Sequence, residues 1–557
     1  MNFLRQYVPS FARWTTTLAG LIDIASVIFR PLEGRLHRVS SLLPGTPTHF
    51  PRIALLITGV FMIVISSGLS KRKRRAWQIS IAVIAASIVV GKEESIFAGF
   101  LLIILILFKN EFYAESDPTT RWRALGLFLQ LFAISLLFGL VLFAERNRFM
   151  VGIPSAGDIG LTVLRGLVGL SGPVLFYGDR TQDVVLLLLE TLGAITVILP
   201  CITFLRSPSA RLIRPQGDVA ALRDLIAEAD DSLAYFALRD DKSVVWSQDK
   251  QVAIAYRVVA GAMLASGDPL GPRDLWPEAM REFKAIADRH AWLIGVMGCS
   301  EVANELWIET CDLQSLEMGD EAIIDIETFS LEGRSMRNTR QMVARAKRHG
   351  YEVAVTHLDD LSDSELQEWR VNAAEWRGKE RERGFSMSLG RYGERRDGRA
   401  LLVEAKRNGK TEAFLQLLPW GQQRYSLDVM RRSPQVDPGV NELMITEFIS
   451  WAKERGISHL SLNFAAFRSV FERAEDQRAS PILRLVRWVL LIVSKWIQIE
   501  SLYRFNSKFQ PLWETRYLLY PKGGSIVRIG VAALEAEAFI IWPRLTAPWR
   551  WRRLSER

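Results

Sequence analysis

Apolar residues fill long stretches of the first two hundred or so positions, and beyond them the chain changes to short alternating or 3.6-periodic segments. Runs at 11–29, 53–69, 77–90, 95–108, 124–143 and 184–205 have the composition of membrane helices, which need roughly 20 mostly apolar residues to cross a bilayer. The third and fourth are short and flank Gly91, Lys92, Glu93 and Glu94, so they read either as two segments or as one kinked element. The stretch 161–177, with Arg165 and a Ser171-Gly172-Pro173 break, reads as a re-entrant or interfacial segment. Asp23 and Glu190 lie inside apolar runs, where a carboxylate either serves a function or faces the bundle interior.

After the polar linker RSPSARLIRPQGD, the pattern predicts a helix at 219–228 and strands at 232–238, 243–247, 252–258 and 263–266. A turn GDPLG, a helix at 277–289 and a strand at 292–296 follow. A comparable order returns later: helix 364–376, strands 401–404, 413–418 and 425–430, helix 441–455, strand 459–462. Two α+β lobes behind a helical bundle are the simplest account, with boundaries at 1–206, 207–345 and 346–557. The segment GDEAIIDIETFSLEGRSMRNTRQMVARAKRHG joins the lobes. At about 100° per residue it places Arg334, Arg337, Arg345 and Arg348 within about 80° of one another. Such a ridge suits a phosphate backbone, or is a solvated charged face.

The stretch 481–520 changes character halfway. Its first half is apolar but interrupted by Arg484, Arg487 and Lys495, so the helix at 481–499, with Trp488 and Trp496, reads as lying on a membrane surface or as a buried core helix. Its second half, LYRFNSKFQPLWETRYLLYP, places cations and rings in close succession, as a site for an anionic partner does.

Charge sharpens this picture. The 557 residues carry a net +9, which favours nucleic acid or acidic lipid headgroups as partners. The cluster Lys71, Arg72, Lys73, Arg74 and Arg75 predicts a cytoplasmic loop, and the Arg-containing linker after Leu205 predicts a cytoplasmic second part. Between them the four best apolar runs satisfy an even number of crossings. The N-terminus lacks the features of a cleaved secretory signal, so the apolar segments are expected to stay as membrane helices. Cys201, Cys299 and Cys311 have no metal-ligand spacing and imply a reducing compartment for the soluble part.

No phosphate-binding GxxxxGK[ST] loop, dinucleotide GxGxxG, HExxH or GxSxG is present, and the six His form no ligand cluster. Nothing therefore argues for ATP, NAD, zinc or a serine triad. A transfer from an already activated donor needs none of them, since the protein supplies position and charge.

Six stretches in order, GDPLG, GDEAIIDIETFSLEGRSMRNTR, RERGFSM, YSLDVMRR, GVNELM and FNSKFQPLWETRYLLYP, resemble the lysylphosphatidylglycerol synthase (multiple peptide resistance factor) family. SLNFAAFRS and ESLYRFNSKF are closest to the actinobacterial branch, and the chain reads as a member without the fused lysyl-tRNA synthetase. The resemblance implies tandem acetyltransferase-like (GNAT) folds on the helical bundle. It implies transfer of lysine or alanine from aminoacyl-tRNA to phosphatidylglycerol or a related lipid at a bacterial cell membrane, altering surface charge and resistance to cationic antimicrobials. No cofactor is expected; a homo-oligomer is compatible. Asp428 is expected to hold the α-ammonium or orient the lipid hydroxyl, or to pair with Arg431 or Arg432; Lys508 and Arg516 to neutralise phosphate and developing charge; Glu442 to be a second carboxylate. Substrate contacts are expected at Arg337, Arg340, Arg345, Arg348, Arg431, Arg432, Trp488, Trp496, Trp513 and Tyr517. The GDPLG turn reads as a tight turn or a ligand site. Rival readings on the same sequence are a peptidoglycan-type aminoacyl ligase, an acyl-CoA acyltransferase, and a lipid transporter with a regulatory soluble part.

Overall fold

The computed structural model describes residues 11–21, 24, 52–70, 72–90, 95–114, 120–145, 150–168, 170–177, 179–204, 216–378, 384–466, 499–522 and 525–540. Residues 481–498 of the helix expected at 481–499, Asp23 and residues 205–215 of the linker lie outside these residues. Chain contacts divide into one unit of Met1–Ser209 with Asp288–Ala291 and another of Ala210–Ala287 with Trp292–Arg557.

The first unit is helical: residues 11–21, α1 (Arg52–Ser70), α2 (Arg74–Val90), α3 (Ser95–Leu107), α4 (Thr120–Glu145), α5 (Ala156–Leu167) and α6 (Asp179–Phe204). Two described stretches are long and apolar enough to cross a membrane, Ala124–Glu145 and Thr181–Phe204. Glycines let α4, α5 and α6 approach closely, as small residues do where apolar helices pack together. A Cβ on Gly193 of α6 would stand 1.8 Å from the Leu167 carbonyl oxygen, and one on Gly139 of α4 would stand 2.4 Å from Val163. Ser135 and Thr196 share a hydrogen bond of 2.9 Å between α4 and α6. Glu190 is buried within this packing, so of its two readings the interior-facing one fits. The 161–177 stretch is half helix: Ser155 and Asp158 cap α5 reciprocally, and the chain leaves the helix after Leu167.

The second unit is built on one sheet of eleven strands: β1 (Ser243–Trp246), β2 (Ala253–Val259), β3 (Ala262–Ser266), β4 (Leu293–Cys299), β5 (Leu313–Asp325), β6 (Glu352–His357), β7 (Leu401–Arg407), β8 (Lys410–Trp420), β9 (Arg424–Arg432), β10 (His459–Ala466) and β11 (Leu512–Pro521). Its helices are α7 (Gln216–Glu228), α8 (Trp276–Arg289), α9 (Glu301–Cys311), α10 (Arg337–Arg348), α11 (Asp363–Arg377), α12 (Val440–Lys453), α13 (Ile499–Ser507) and α14 (Ile526–Ala536). The strand order is β1-β2-β3-β4-β11-β5-β10-β9-β8-β7-β6.

That order holds an exchange. Each lobe has a parallel pair, β3 with β4 and β9 with β10. β5 closes the first lobe in sequence but pairs with β10 of the second, while β11 closes the second and pairs with β4 of the first. The two exchanged strands then pair with each other along ten residues, Leu512↔Ile323 to Pro521↔Leu313. The core follows the same logic. Phe236 and Leu264 from before residue 345 share one buried cluster with Trp369, Phe414 and Ile529 from after it. The expected boundary at 345/346 therefore crosses a continuous sheet and core.

The strand expected at 232–238 is instead a 3-10 turn over Ala234–Leu238 whose residues are all buried, so no period of two has a solvent side to face. The joining segment expected to link the lobes contributes β5 and then α10. Thr339, Val343 and Ala346 form the buried face of α10.

Candidate active site

In the second lobe β9 and β10 pair in parallel only at His459↔Arg424, Leu460↔Tyr425 and Ser461↔Ser426. Past Ser461, β10 also shifts register against β5, and Asn463 takes a left-handed φ of 61°. The strands part there. Ligands of open α/β sheets bind outside the carboxyl ends of strands where neighbours diverge. Beyond the split β9 carries Asp428, Arg431 and Arg432, and α12 starts at Val440 with Gly439 as its N-cap. Gly439 has φ 100°, and a Cβ there would stand 2.5 Å from the Met342 carbonyl oxygen of α10, so a side chain fits neither the backbone nor the space.

Asp428 is half-buried and holds a loop. Its Oδ1 accepts from the Leu389 backbone N–H at 2.8 Å and its Oδ2 accepts from Gln416 Nε2 at 2.6 Å. Gln416, fully buried on β8, also accepts from the Gly393 N–H at 3.3 Å and donates to the Arg391 carbonyl at 3.3 Å. Between those residues stands Tyr392, whose ring lies 5.5 Å from the Arg431 guanidinium, with Arg431 Nη2 3.4 Å from its hydroxyl. Arg432 is exposed. The loop is held from behind as well: Glu537 accepts from the backbone N–H groups of Phe385 at 2.7 Å and Ser386 at 3.0 Å.

Glu442, in the first turn of α12, is buried and accepts from Lys508 Nζ at 2.7 Å; the lysine side chain keeps 35% of its surface exposed. The structure thus joins two residues chosen separately from the sequence. Thr339 of α10 donates to the Lys508 carbonyl at 3.1 Å, so the lysine is anchored through its backbone too. Three buried polar atoms nearby in sequence have no protein partner among the described residues: Asn441 Oδ1, Asn463 Oδ1 and Asn506 Nδ2. Asn441 precedes Glu442, Asn506 stands two residues before Lys508, and Asn463 Nδ2 bonds the Leu427 carbonyl beside Asp428. Such atoms are costly unless something binds them. The sequence reading missed these asparagines; SLNFAAF was noted, without a role for Asn463.

Arg516 does not join this group. It is buried, its Nε donates to Glu321 Oε2 at 2.7 Å, Nη1 to Asp231 Oδ1 at 2.8 Å, and Nη2 to both Ser232 Oγ at 2.8 Å and Glu321. Ser232 and Ser461 donate their hydroxyls to the same Glu321. A guanidinium so enclosed by two carboxylates ties β11 to β5 and to the start of the first lobe; the expectation of a cation open to phosphate is corrected on that ground. Trp513 and Tyr517 share its strand, and all three border a cavity of about 810 Å³ on the first lobe's side. Glycine geometry shapes that cavity's GDPLG wall: Gly267 and Gly271 have φ of 70° and 109°. Asp268 accepts from the Ser300 N–H at 2.8 Å and the Ser300 hydroxyl at 2.6 Å. Burial, with Asp231 adding to it and Arg516 opposing, pushes its carboxyl up to about 7.

Arg337, Arg345 and Arg348 of α10 are exposed, opposite its buried face. Arg340 is exposed but turned onto its own loop, donating to the carbonyls of Leu331 and Gly333, the latter at 2.8 Å. Trp488 and Trp496 lie outside the described residues.

Two apolar helices of bilayer length precede in sequence an α/β sheet unit that carries a carboxylate, a Lys–Glu pair and a helix N-terminus at a strand split. The chain belongs to the family described as phosphatidylglycerol lysyltransferase, C-terminal, which matches residues 223–520. The family described as the transmembrane region of lysyl-tRNA synthetase matches residues 4–204. Among curated relatives, the lysylphosphatidylglycerol biosynthesis bifunctional protein LysX of Rhodococcus jostii is 38% identical over 86% of this chain and 44% of its own length. LysX of Mycobacterium avium is 36% identical over 97% of this chain and 47% of its own. The chain thus spans under half the length of these relatives. The solved L-PGS of Bacillus licheniformis is similar at 25% identity and a TM-score of 0.51 over 59% of this chain and 98% of that one. A DUF2156 domain from Agrobacterium fabrum shares the fold at 20% identity and a TM-score of 0.50 over 58% of this chain and 98% of that one.

Proposed function

We propose that this protein is a multi-pass membrane aminoacyltransferase that moves lysine from aminoacyl-tRNA to a hydroxyl of phosphatidylglycerol, from a cytoplasmic domain built of two acetyltransferase-like lobes. One observation carries the reading: the family match at 223–520 takes in all eleven strands and both second-lobe clusters, around Asp428 and around Glu442–Lys508.

The reaction exchanges one ester for another. The lipid hydroxyl attacks the aminoacyl carbonyl, its proton leaves to a base or solvent, and the tRNA ribose hydroxyl departs with a proton. No further energy source is required. What the protein must supply is position and charge. Lys508, oriented by Glu442 and still partly open, is placed to stabilise a lipid phosphate or the oxygen of the tetrahedral intermediate. Backbone N–H groups in the first turn of α12 add positive potential at the same place. Asp428, fixed by Leu389 and Gln416, offers a carboxylate to the α-ammonium. Asn441, Asn463 and Asn506 hold polar atoms with no partner among the described residues, suited to an ester and its hydroxyls. The exposed arginines of α10 suit the tRNA backbone.

The test is thin-layer chromatography of labelled lipids after incubating the full chain in phosphatidylglycerol membranes with lysyl-tRNA. Label is expected on a phosphatidylglycerol derivative. Label confined to water-soluble products, or transfer only from an acyl-CoA, removes the reading.

A further inference from the structure

The cluster Lys71 to Arg75 lies where four helix ends of the first unit meet: α1 ends at Ser70, α3 at Leu107 and α6 at Phe204, and α2 starts at Arg74. Arg75 Nη1 donates to the Phe204 carbonyl at 3.2 Å, and its guanidinium lies 4.5 Å from the Phe204 ring. Trp77 Nε1 donates to the Leu105 carbonyl at 2.8 Å. Between α1 and α2 the chain turns through Arg72, whose φ of 52° is uncommon for a residue with a side chain. There the backbone is bonded to the turn that follows α3: the Ala114 N–H donates to the Arg72 carbonyl at 3.0 Å and the Arg74 N–H to the Ala114 carbonyl at 3.1 Å. Arg72 adds an ion pair to Glu111 at 2.8 Å, with the Tyr113 ring 5.7 Å from its guanidinium. A merely solvated basic loop needs no such framework; here the cations are held in place.

The framework leaves positive charge in excess. Residues 71–77 and 108–114 carry six cations, Lys71, Arg72, Lys73, Arg74, Arg75 and Lys109, against one carboxylate, Glu111. The three helix C-termini add about half a negative charge each and the start of α2 half a positive one, so an excess of roughly four positive charges remains. Arg74 and Lys109 are exposed and have no carboxylate within ion-pair distance among the described residues. A second feature reaches the same place from the side of the helices. Phe100, Ile103 and Leu107 share one face of α3, exposed by 54%, 57% and 72%, and Lys109 follows two residues beyond that strip. Hydrocarbon running up to cations and aromatic rings is the profile of the bilayer at its headgroup level.

We propose that this end of the helical unit is a binding site for an anionic diacyl phospholipid, with the headgroup phosphate held by the exposed cations and an acyl chain lying along Phe100, Ile103 and Leu107. Fixed basic clusters at a membrane face attract anionic lipid in this way. A free phosphate or a nucleic acid backbone matches the cations but has nothing to lay against the α3 strip, and that strip decides for lipid. The site stands on the helical unit alone. It lies apart in sequence from Asp428 and Lys508 and needs no aminoacyl donor, so it does not depend on the transfer reading above.

The test is native mass spectrometry of the full chain from micelles doped with equal amounts of phosphatidylglycerol and phosphatidylcholine of the same acyl chains. Phosphatidylglycerol is expected to be retained about tenfold over phosphatidylcholine, and Arg74→Gln with Lys109→Gln to remove most of that preference, since each cation near an anionic headgroup contributes to holding it. Arg74→Lys is expected to keep it. So is Lys410→Gln with Arg528→Gln, which takes the same charge from exposed positions of the sheet unit. Equal retention of the two lipids by the unmodified chain overturns the proposal whether or not the variants fold. A preference that survives Arg74→Gln with Lys109→Gln overturns it as well, as does one lost equally in both double variants. Inorganic phosphate that displaces the lipid at equal concentration assigns the cations to a soluble anion and also sinks the idea. Lipid transfer is measured on the same unmodified preparation. Preferential retention without transfer leaves this inference standing and removes the transfer reading; transfer without preferential retention does the reverse.

Discussion

Asp428 and Lys508 each meet a fixed partner, and that predicts how their loss reads out. Removing a preorganised electrostatic contact lowers turnover by about a hundredfold or more. Asp428→Asn and Lys508→Ala are expected to do so in the lipid-transfer assay; the melting temperature should change little in Asp428→Asn, where the residue is half-buried, and should fall in Lys508→Ala, which leaves the buried Glu442 carboxylate without its cation. Normal turnover in both variants moves the active site out of the second lobe. Arg516→Ala should behave otherwise. It strands Glu321 and Asp231 as buried charges, a loss of about 3–5 kcal/mol for a broken buried pair. The expected result is a sharp drop in the denaturant midpoint or an insoluble chain, ahead of any kinetic effect. Asp268 gives a pH signature. Its carboxyl is raised to about 7 by burial and Asp231, against Arg516. A raised folded value means that its contribution to stability is fully present below its unfolded value of about 4 and is lost as pH rises through about 7. Asp268→Asn should flatten the melting temperature over that window; an unchanged slope refutes the assignment. At this scale the sequence was half legible. The motifs YSLDVMRR and KFQPLWETRY marked Asp428, Lys508 and Arg516, but Arg516 meets its partner Glu321 across 195 positions, a separation that no local spacing reveals.

Among the elements, α10 was the most readable. Its 3.6-residue period put Arg334, Arg337, Arg345 and Arg348 on one ridge; the structure keeps the last three exposed, opposite the buried Thr339, Val343 and Ala346, whereas Arg334 stands before the helix, which starts at Arg337. Arg345→Ala with Arg348→Ala is therefore expected to weaken tRNA affinity, with a shallower dependence on salt, while turnover at saturating tRNA stays largely intact. A loss of turnover with unchanged affinity assigns the ridge elsewhere. Strands near the sheet centre were harder to place. β5 was read as a joining segment because its burial is irregular: Gln314 is exposed, while Met318 and Gly319 are adjacent and both buried. The alternation that announces an edge strand is weak where both faces and both edges are covered. The turn at Ala234–Leu238 failed for the same reason, burial on all sides erasing the pattern.

For the whole molecule, the division between an apolar helical part and an α/β part was visible in composition. The second boundary was not visible, because the pattern of a strand records which face is buried and says nothing of which neighbour it pairs with. Strand exchange has a consequence for how the protein is made. When β4 emerges from the ribosome, the edge that β11 will occupy is bare, and β11 begins at Leu512, some two hundred residues later. At about 5–20 residues per second that is roughly 10–40 seconds of synthesis. The first lobe must pass that interval with an open sheet edge, so nascent chains stalled before Leu512 should expose a strand that chaperones or other stalled chains can capture.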